Sequence, residues 1–283
     1  MADIKAGHFF AGVIGLSLVR NWYVDAEFNE ARMSELGQLL ANLDTFPHSL
    51  VLNPEERELL EGYHEWASSY DGVNPLVDAE EPVVRPILQR LSGPGVKALD
   101  AACGTGRHAA LLVELGCETT AIDQSSAMLD VARLKLPSAR FEEGDIRSMP
   151  FDDGEFDLAI ISLALCHFED PADAVRELSR VLRVGGTLVV TDPHPFGAVA
   201  GGQAFYGGIV PGQPMKWVRN YCHSASTWFT AFKDAGLQVE QCLEPPFAEA
   251  QIMANPTSFV FPEAARASAS GLAAFWVWVV SKS

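Results

Sequence analysis

From Val96 to Asp192 short apolar runs alternate with amphipathic stretches. "VKALDAA" (96–102) predicts a buried strand and 106–115 a helix. "TTAID" (119–123) predicts a second strand and "SAMLDVARLKL" (126–136) a second helix. "ARFEEGD" (139–145) and "FDLAIISLA" (156–164) predict strands three and four. "PADAVRELSRVL" (171–182) has helical spacing and is expected to stop at Gly185-Gly186, ahead of a fifth strand, "GTLVVTD" (186–192). Apolar strands between amphipathic helices imply a parallel sheet covered on both faces. A helix near 224–235, a strand near 237–244, a long gap and "AAFWVWVVSK" follow. That tail suits an antiparallel hairpin at the sheet edge. The expectation is an α/β, doubly wound, seven-stranded sheet, mostly parallel.

The flanking segments read differently. Residues 8–20 and 28–42 predict helices, with Phe28, Met33, Leu36, Leu39 and Leu40 near helical spacing. Asn53-Pro54 before "EERELLEGYHEWASSY" suggests a capped helix with Pro at its first position. Pro82 and Pro86 lead into "ILQRL", and Gly93-Pro94-Gly95 marks a turn. Residues 1–80 are therefore expected to form a helical lid, and 81–283 the main domain. "PHPFGAVAGGQAFYGGIVPGQPMK" (193–216), with six Gly and four Pro, predicts a long loop within a cap segment at about 193–222. "HFFAGVIGLSLV" (8–19) lacks a basic leader and a small-residue cleavage site, so it is expected to be a buried helix. It is also too short to span a bilayer.

Charge narrows the partners. The 283 residues carry a net charge of −17, and residues 1–90 hold 15 acidic against 6 basic side chains. Such a field repels phosphate backbones and argues against nucleic acid. Five scattered cysteines without C-x-x-C spacing point to reduced thiols in a cytoplasmic protein, with no zinc or disulfide framework. No carboxylate–His cluster suggests a catalytic metal. The protein is expected to be a monomer or homodimer without membrane attachment.

Candidate chemistry centres on "LDAACGTGRHAALLVELGC" (99–117). Gly104, Gly106 and Ala109 fit G-x-G-x-x-A, a dinucleotide-type turn. Asp123, at the end of the second strand, can accept hydrogen bonds from a ribose, which both NAD and S-adenosylmethionine carry. Other features separate these two ligands. Asp100 before the turn would oppose a pyrophosphate and suits an ammonium. Asp145, at the end of the third strand, can accept from an adenine amine, with the Ile146 N–H on a ring nitrogen. The tail after the fifth strand also departs from a second mononucleotide-binding half.

"LDAACGTGR", "AIDQS", "EGDIRSMPF", "FDLAIISLALCHFED" and "LSRVLRVGGTLVV" together resemble the core of the class I S-adenosylmethionine-dependent methyltransferases, over residues 96–192. Ala102 stands where that family's motif commonly has its first glycine. The resemblance implies a Rossmann-like fold, S-adenosylmethionine as cofactor and S-adenosylhomocysteine as product. It places Asp100 and the 102–106 backbone (Ala102, Gly104, Gly106) on the methionine part. Asp123 falls on the ribose, Asp145 and Ile146 on the adenine, Gln124 and Met128 beside the adenosine, and Leu163 near the sulfonium. It also implies that a tyrosine, Tyr63 or Tyr70, touches the methionine carboxylate. Arg107 either neutralises that carboxylate or caps the sheet.

A base is needed only when the acceptor must lose a proton, and His is the usual choice near neutral pH. His194 and His223 are the expected substrate-side pair, and His167 lies beside the expected methyl position. Aromatics in the flanking segments suit a small, apolar or aromatic acceptor. With a His base to hand, oxygen is the favoured acceptor atom, and nitrogen and carbon stay open. "SLALCHF" after the fourth strand is not the Asn/Asp-Pro-Pro-aromatic tetrad of DNA-base or glutamine amino-methylation. Two rival readings share the turn: an S-adenosylmethionine-binding catalyst that does not methylate, such as a cyclase, and an NAD-dependent oxidoreductase.

Overall fold

The structure is a computed structural model that describes residues 3–199, 202–208 and 214–283. The chain begins with α1 (Ala6–Asn21), α2 (Ala26–Ala41), β1 (Glu55–Arg57), α3 (Leu59–Trp66) and α4 (Pro75–Leu91). The alternating region follows as β2 (Lys97–Ala101), α5 (Arg107–Glu114), β3 (Glu118–Asp123), α6 (Ser126–Lys135), β4 (Arg140–Glu143), β5 (Phe156–Ser162), α7 (Ala172–Val181) and β6 (Leu182–Pro193). Then come α8 (Pro195–Val199), β7 (Ala204–Gly207), β8 (Met215–Val218), α9 (Ala225–Asp234) and β9 (Leu237–Leu243). The last elements are α10 (Glu249–Ala254), α11 (Pro262–Ala269) and β10 (Phe275–Lys282).

Two compact units divide these elements. The first comprises residues 1–56, 205–217 and 246–272; the second holds 57–204, 218–245 and 273–283. The expected boundary at residue 80 therefore falls between Glu56 and Arg57, because α3 and α4 belong with the sheet.

In the first unit, Phe10 and Ile14 of α1 pack with Leu39 of α2 and with Phe261 and Ala264 around α11. The Arg20 guanidinium donates to the carbonyls of Ala267 (3.0 Å) and Ser270 (2.8 Å) at the end of α11. The helix expected from Asn53-Pro54 begins only at Leu59. Asn53 spends its side chain elsewhere, accepting from Ile4 N–H (2.8 Å) and donating to Asp3 (3.1 Å), so it does not cap. The supposed loop 193–216 contains α8, β7 and β8, and a three-stranded sheet runs β1-β8-β7. Residues 200, 201 and 209–213 of that loop lie outside the described residues.

The second unit is built on the seven-stranded sheet, ordered β4-β3-β2-β5-β6-β10-β9. β2 to β6 are parallel, while β10 runs antiparallel to both β6 and β9. Alternation decides which residue faces which layer. Ile122 of β3 joins the core with Leu178 of α7 and Trp228 of α9, and its neighbour Ala121 packs with Ala109 of α5 and Leu129 of α6. Burying each large apolar side chain contributes roughly 1.5–3 kcal/mol.

Two local expectations shift here. α7 ends at Val181, before the glycines, because the Lys282 ammonium takes up the carbonyls of Ser179 and Leu182 (both 2.8 Å). α4 runs through Pro82 and Pro86. Both prolines are exposed, so the carbonyls they leave unpaired can turn to water.

Candidate functional site

The chain leaves β2 towards β3 and β4, then returns to β5 on β2's other side. Ligands of such sheets bind at this reversal, beyond the carboxyl ends of the strands. A cleft lies there. Its floor is Ala102 and Gly104 after β2, Asp123 to Ser125 after β3, and Gly144 and Ile146 after β4. Ser162, Leu163, Ala164, His167 and Phe168 after β5 form one wall; Leu59, Leu60, Tyr63 and Tyr70 form the other.

The glycine turn is held by carboxylates on backbone amides. Asp123 Oδ2 accepts from Gly104 N–H and Oδ1 from Ser125 N–H, both at 2.8 Å. Burial raises the Asp123 pKa, although these amides favour its charge. A Cβ on Gly104, whose φ is +53°, would come no nearer than 3.9 Å to Tyr70. The turn thus leaves room for a ligand to approach the backbone. Gly106 starts α5, and a Cβ there would meet Ala132 of α6 at 3.2 Å, so this glycine serves helix packing. Thr105 and Lys135 both grip Asp71, at 2.6 and 2.7 Å, fixing the approach from α3 to the turn.

Two non-glycine residues of the cleft, one in a wall and one in the floor, have left-handed backbone. Leu163 takes φ +54° and Ala102, across the cleft floor, φ +53°. Each costs roughly 1–2 kcal/mol in a residue with a Cβ, and such strain gathers at ligand sites. His167 sits in the turn after Leu163. Its Nδ1 lies 2.8 Å from the Arg219 carbonyl, which can only accept, so Nδ1 carries the proton. Its Nε2 is then the acceptor for the Tyr63 hydroxyl at 2.6 Å. Burial lowers the His167 pKa, and burial lifts the Tyr63 phenol well above its ordinary value of 10. The pair is therefore a neutral imidazole under a protonated phenol. Tyr70, whose pKa burial raises to about 12, belongs to the same aromatic group, its ring tilted against that of Tyr63.

Nine expected site residues line the cleft: Tyr63, Tyr70, Ala102, Gly104, Asp123, Gln124, Ile146, Leu163 and His167. The others do not line it. Asp100 is buried, and its Oδ2 accepts from Ala109 N–H at 2.7 Å, capping the helix that Gly106 cannot cap. Arg107 binds Glu80 (2.6 Å) and Ser162 (3.1 Å), so its charge already has a protein partner. Met128, in the first turn of α6, is buried. Asp145 receives Arg147 on both oxygens (2.6 and 3.0 Å), and this hydrogen bonding lowers its pKa. The Arg147 guanidinium in turn lies 5.1 Å over Phe168.

His194 and His223 do not form a substrate-side pair of bases. His194 Nδ1 accepts from Phe196 N–H (3.2 Å), and its Nε2 faces Glu244 (3.2 Å). His223 Nε2 donates to the Phe168 carbonyl (2.9 Å), and its Nδ1 lies 3.3 Å from Asp192. Neither ring keeps a nitrogen for a substrate proton. The deciding partners, Glu244, Asp192 and the Phe168 carbonyl, are remote from these histidines in sequence.

Sequence reading also missed Glu80, which is fully buried. It collects Arg107, Ser162 (2.8 Å) and Thr191 (2.8 Å), with His108 Nε2 at 3.4 Å. Burial alone would raise its pKa, but His108, Arg107 and these hydrogen bonds hold it well below the carboxylate range. A charged residue in an amphipathic helix carries no sign of such a role.

A family model described as a methyltransferase domain matches residues 99–190. Demethylmenaquinone methyltransferase of Renibacterium salmoninarum is 33% identical over 142 residues, covering 46% of this chain and 60% of that protein. Malonyl-acyl-carrier-protein O-methyltransferase of Serratia marcescens is 35% identical over 128 residues, covering 44% and 50%. The chain thus spans 60% and 50% of the length of these two relatives. The crystal structure of an S-adenosylmethionine-dependent methyltransferase from Mesorhizobium loti matches with a TM-score of 0.54 and 24% identity, over 72% of this chain and 98% of that one. At that identity the likeness is one of fold. Among the described residues no three side chains are grouped to hold a metal, and no helix is long and apolar enough to cross a membrane.

Proposed function

We propose, on the premise that residues 99–190 form a class I S-adenosylmethionine-dependent methyltransferase core, that the protein methylates a small acceptor bringing its own nucleophile. The residues fit the cofactor. Asp123 keeps lone pairs for two ribose hydroxyls beyond its two amide bonds. Gly104 leaves its backbone open, Gln124 and Ile146 border the adenosine, and the Tyr63 and Tyr70 rings offer π-faces to a sulfonium. The bound cofactor supplies a methyl group already activated by its positive sulfur. The protein positions the reactants and excludes water.

The observation that carries the acceptor class is the committed state of His167. Its one lone pair takes the Tyr63 proton. Burial pushes the Tyr63 phenol up and the His167 imidazole down, so passing that proton fully to His167 is uphill. Such a pair orients an acceptor but is a poor base. The acceptor best served is a phenol-type oxygen or an electron-rich ring carbon, and an aliphatic alcohol is poorly served. The apolar lining at Leu59, Leu60, Leu163 and Phe168 suits a ring. One relative is named for a quinone, in keeping with that choice.

Calorimetric titration with S-adenosylhomocysteine and with NADH tests the cofactor. The first should bind, and Asp123→Ala should weaken it roughly 100-fold, about 3 kcal/mol. Binding of NADH alone would overturn the reading. Labelled methyl transfer to a panel of phenols, hydroquinones, amines and aliphatic alcohols tests the acceptor, and fastest transfer to the alcohols would overturn that part.

A further inference from the structure

The turn that carries His167 and Phe168 into the cleft is gripped from behind by a buried acid–imidazole pair outside the cleft lining. Asp192 is fully buried and follows directly on the paired residues of β5 and β6. Its Oδ1 accepts from Cys166 N–H at 2.8 Å. His223 is buried, stands edge-on to Trp228 at 5.3 Å, and gives its Nε2 proton to the Phe168 carbonyl. The two side chains meet at 3.3 Å through Asp192 Oδ2 and His223 Nδ1. Backbone on either side of His167 is thus tied to one pair, at 166 and at 168. The segment 219–223, between β8 and α9, supplies the remaining ties: Arg219's carbonyl receives the His167 Nδ1 proton, and Tyr221 N–H donates to the Cys166 carbonyl. Leu163 N–H, at the start of the turn, donates to Thr191, next to Asp192.

We propose that the Asp192–His223 pair is a positioning device for the methyl-transfer site: it fixes the 164–168 turn so that His167 presents one tautomer to Tyr63. Stability alone does not call for this arrangement, since well-packed apolar residues commonly replace buried ion pairs without loss. What the pair adds is direction. Its backbone partners, Cys166 N–H and the Phe168 carbonyl, set the two peptide groups flanking His167. A sliding or tilted turn would break the Nδ1–H bond to Arg219, free the ring to change tautomer, and take the acceptor away from the Tyr63 hydroxyl. The proposal rests on the methyltransferase reading for its purpose, but not for its geometry.

The test uses the full chain and reads the ring directly. Nitrogen NMR of the His167 imidazole should show the Nδ1–H tautomer in the unliganded protein. His223→Leu should turn that signal into a mixture of tautomers and weaken S-adenosylhomocysteine roughly tenfold, the effect of about one lost hydrogen bond. His223→Gln, which keeps a donor for the Phe168 carbonyl, should restore the single tautomer and most of the affinity. If His223→Leu does not fold, Asp192→Ala, which leaves Cys166 N–H and His223 Nδ1 without their partner, makes the same decision from the Cys166 side. An unchanged His167 signal in whichever variant folds would reduce the pair to packing and overturn the proposal. Failure of the wild-type protein to bind S-adenosylhomocysteine would instead count against the proposed function, and the tautomer readout would still decide the role of the pair.

Discussion

The first turn of α5 is held from two sides, and the sides work by different physics. From β2, Asp100 takes the Ala109 amide, a neutral donor. From α4, Glu80 takes the Arg107 guanidinium and lies beside His108. Both carboxylates are buried. Burial raises Asp100 to a pKa of about 6, with only partial relief from His108 and the amide. At Glu80 the same burial is outweighed by charged neighbours, and the pKa falls. An amide is enough to cap a helix, but a cation is what keeps a buried acid ionised.

The largest expected effect breaks the charged side. Glu80→Gln keeps the shape but leaves Arg107 without its anion. Breaking a buried pair in this way should cost about 4 kcal/mol, read as a lower urea midpoint at unchanged slope. A loss below 1 kcal/mol would mean that Arg107 simply turns to water. The neutral side should answer to pH instead. Asp100 has its folded pKa above the unfolded value of about 3.9, so the native state holds its proton more tightly. That stability is present below pH 4 and lost as pH rises through about 6. Urea stability measured from pH 4 to 7 for wild type and Asp100→Asn should give a difference that falls by about 3 kcal/mol across this window. A flat difference would place Asp100 in the same class as Glu80. The smallest effect concerns the residue two places on. Ala102→Gly relieves a left-handed backbone, offset partly by the flexibility glycine adds to the unfolded chain. A net gain of about 0.5 kcal/mol in thermal unfolding is expected, and a loss would show that the methyl group packs.

The two sides also differ in how far the sequence reveals them. β2, the glycine turn and Asp123 sit within one contiguous pattern, in which apolar runs, small residues and acids stand at fixed places. Their sheet order, their helices and the cleft floor follow from it. Glu80 lies 27 residues before Arg107 and 111 before Thr191, in a helix whose surface otherwise reads as solvated. Nothing local marks a charge as buried when its partners are supplied by other elements. The histidines illustrate the same limit. "DPHP" and "NYCHSASTW" make His194 and His223 look available, and only the placement of Glu244, Asp192 and the Phe168 carbonyl shows their nitrogens spoken for. Asn53 and Gly185-Gly186 misled for a related reason, since one expected capping side chain serves a distant segment and a distant one, Lys282, takes up the carbonyls at the end of α7.

The packing of α1 against the α11 region has a consequence for synthesis. Phe10 meets Phe261, with ring centroids 6.5 Å apart, although some 250 residues separate them. At about 5–20 residues per second, α1 leaves the ribosome roughly 12–50 s before its partner exists. Throughout that interval Phe10 and Ile14 have only α2 and the residues just after it, such as His48, for cover. The nascent chain thus carries an apolar helix waiting for its mate while the whole sheet is being made, which is when a holding chaperone would find it.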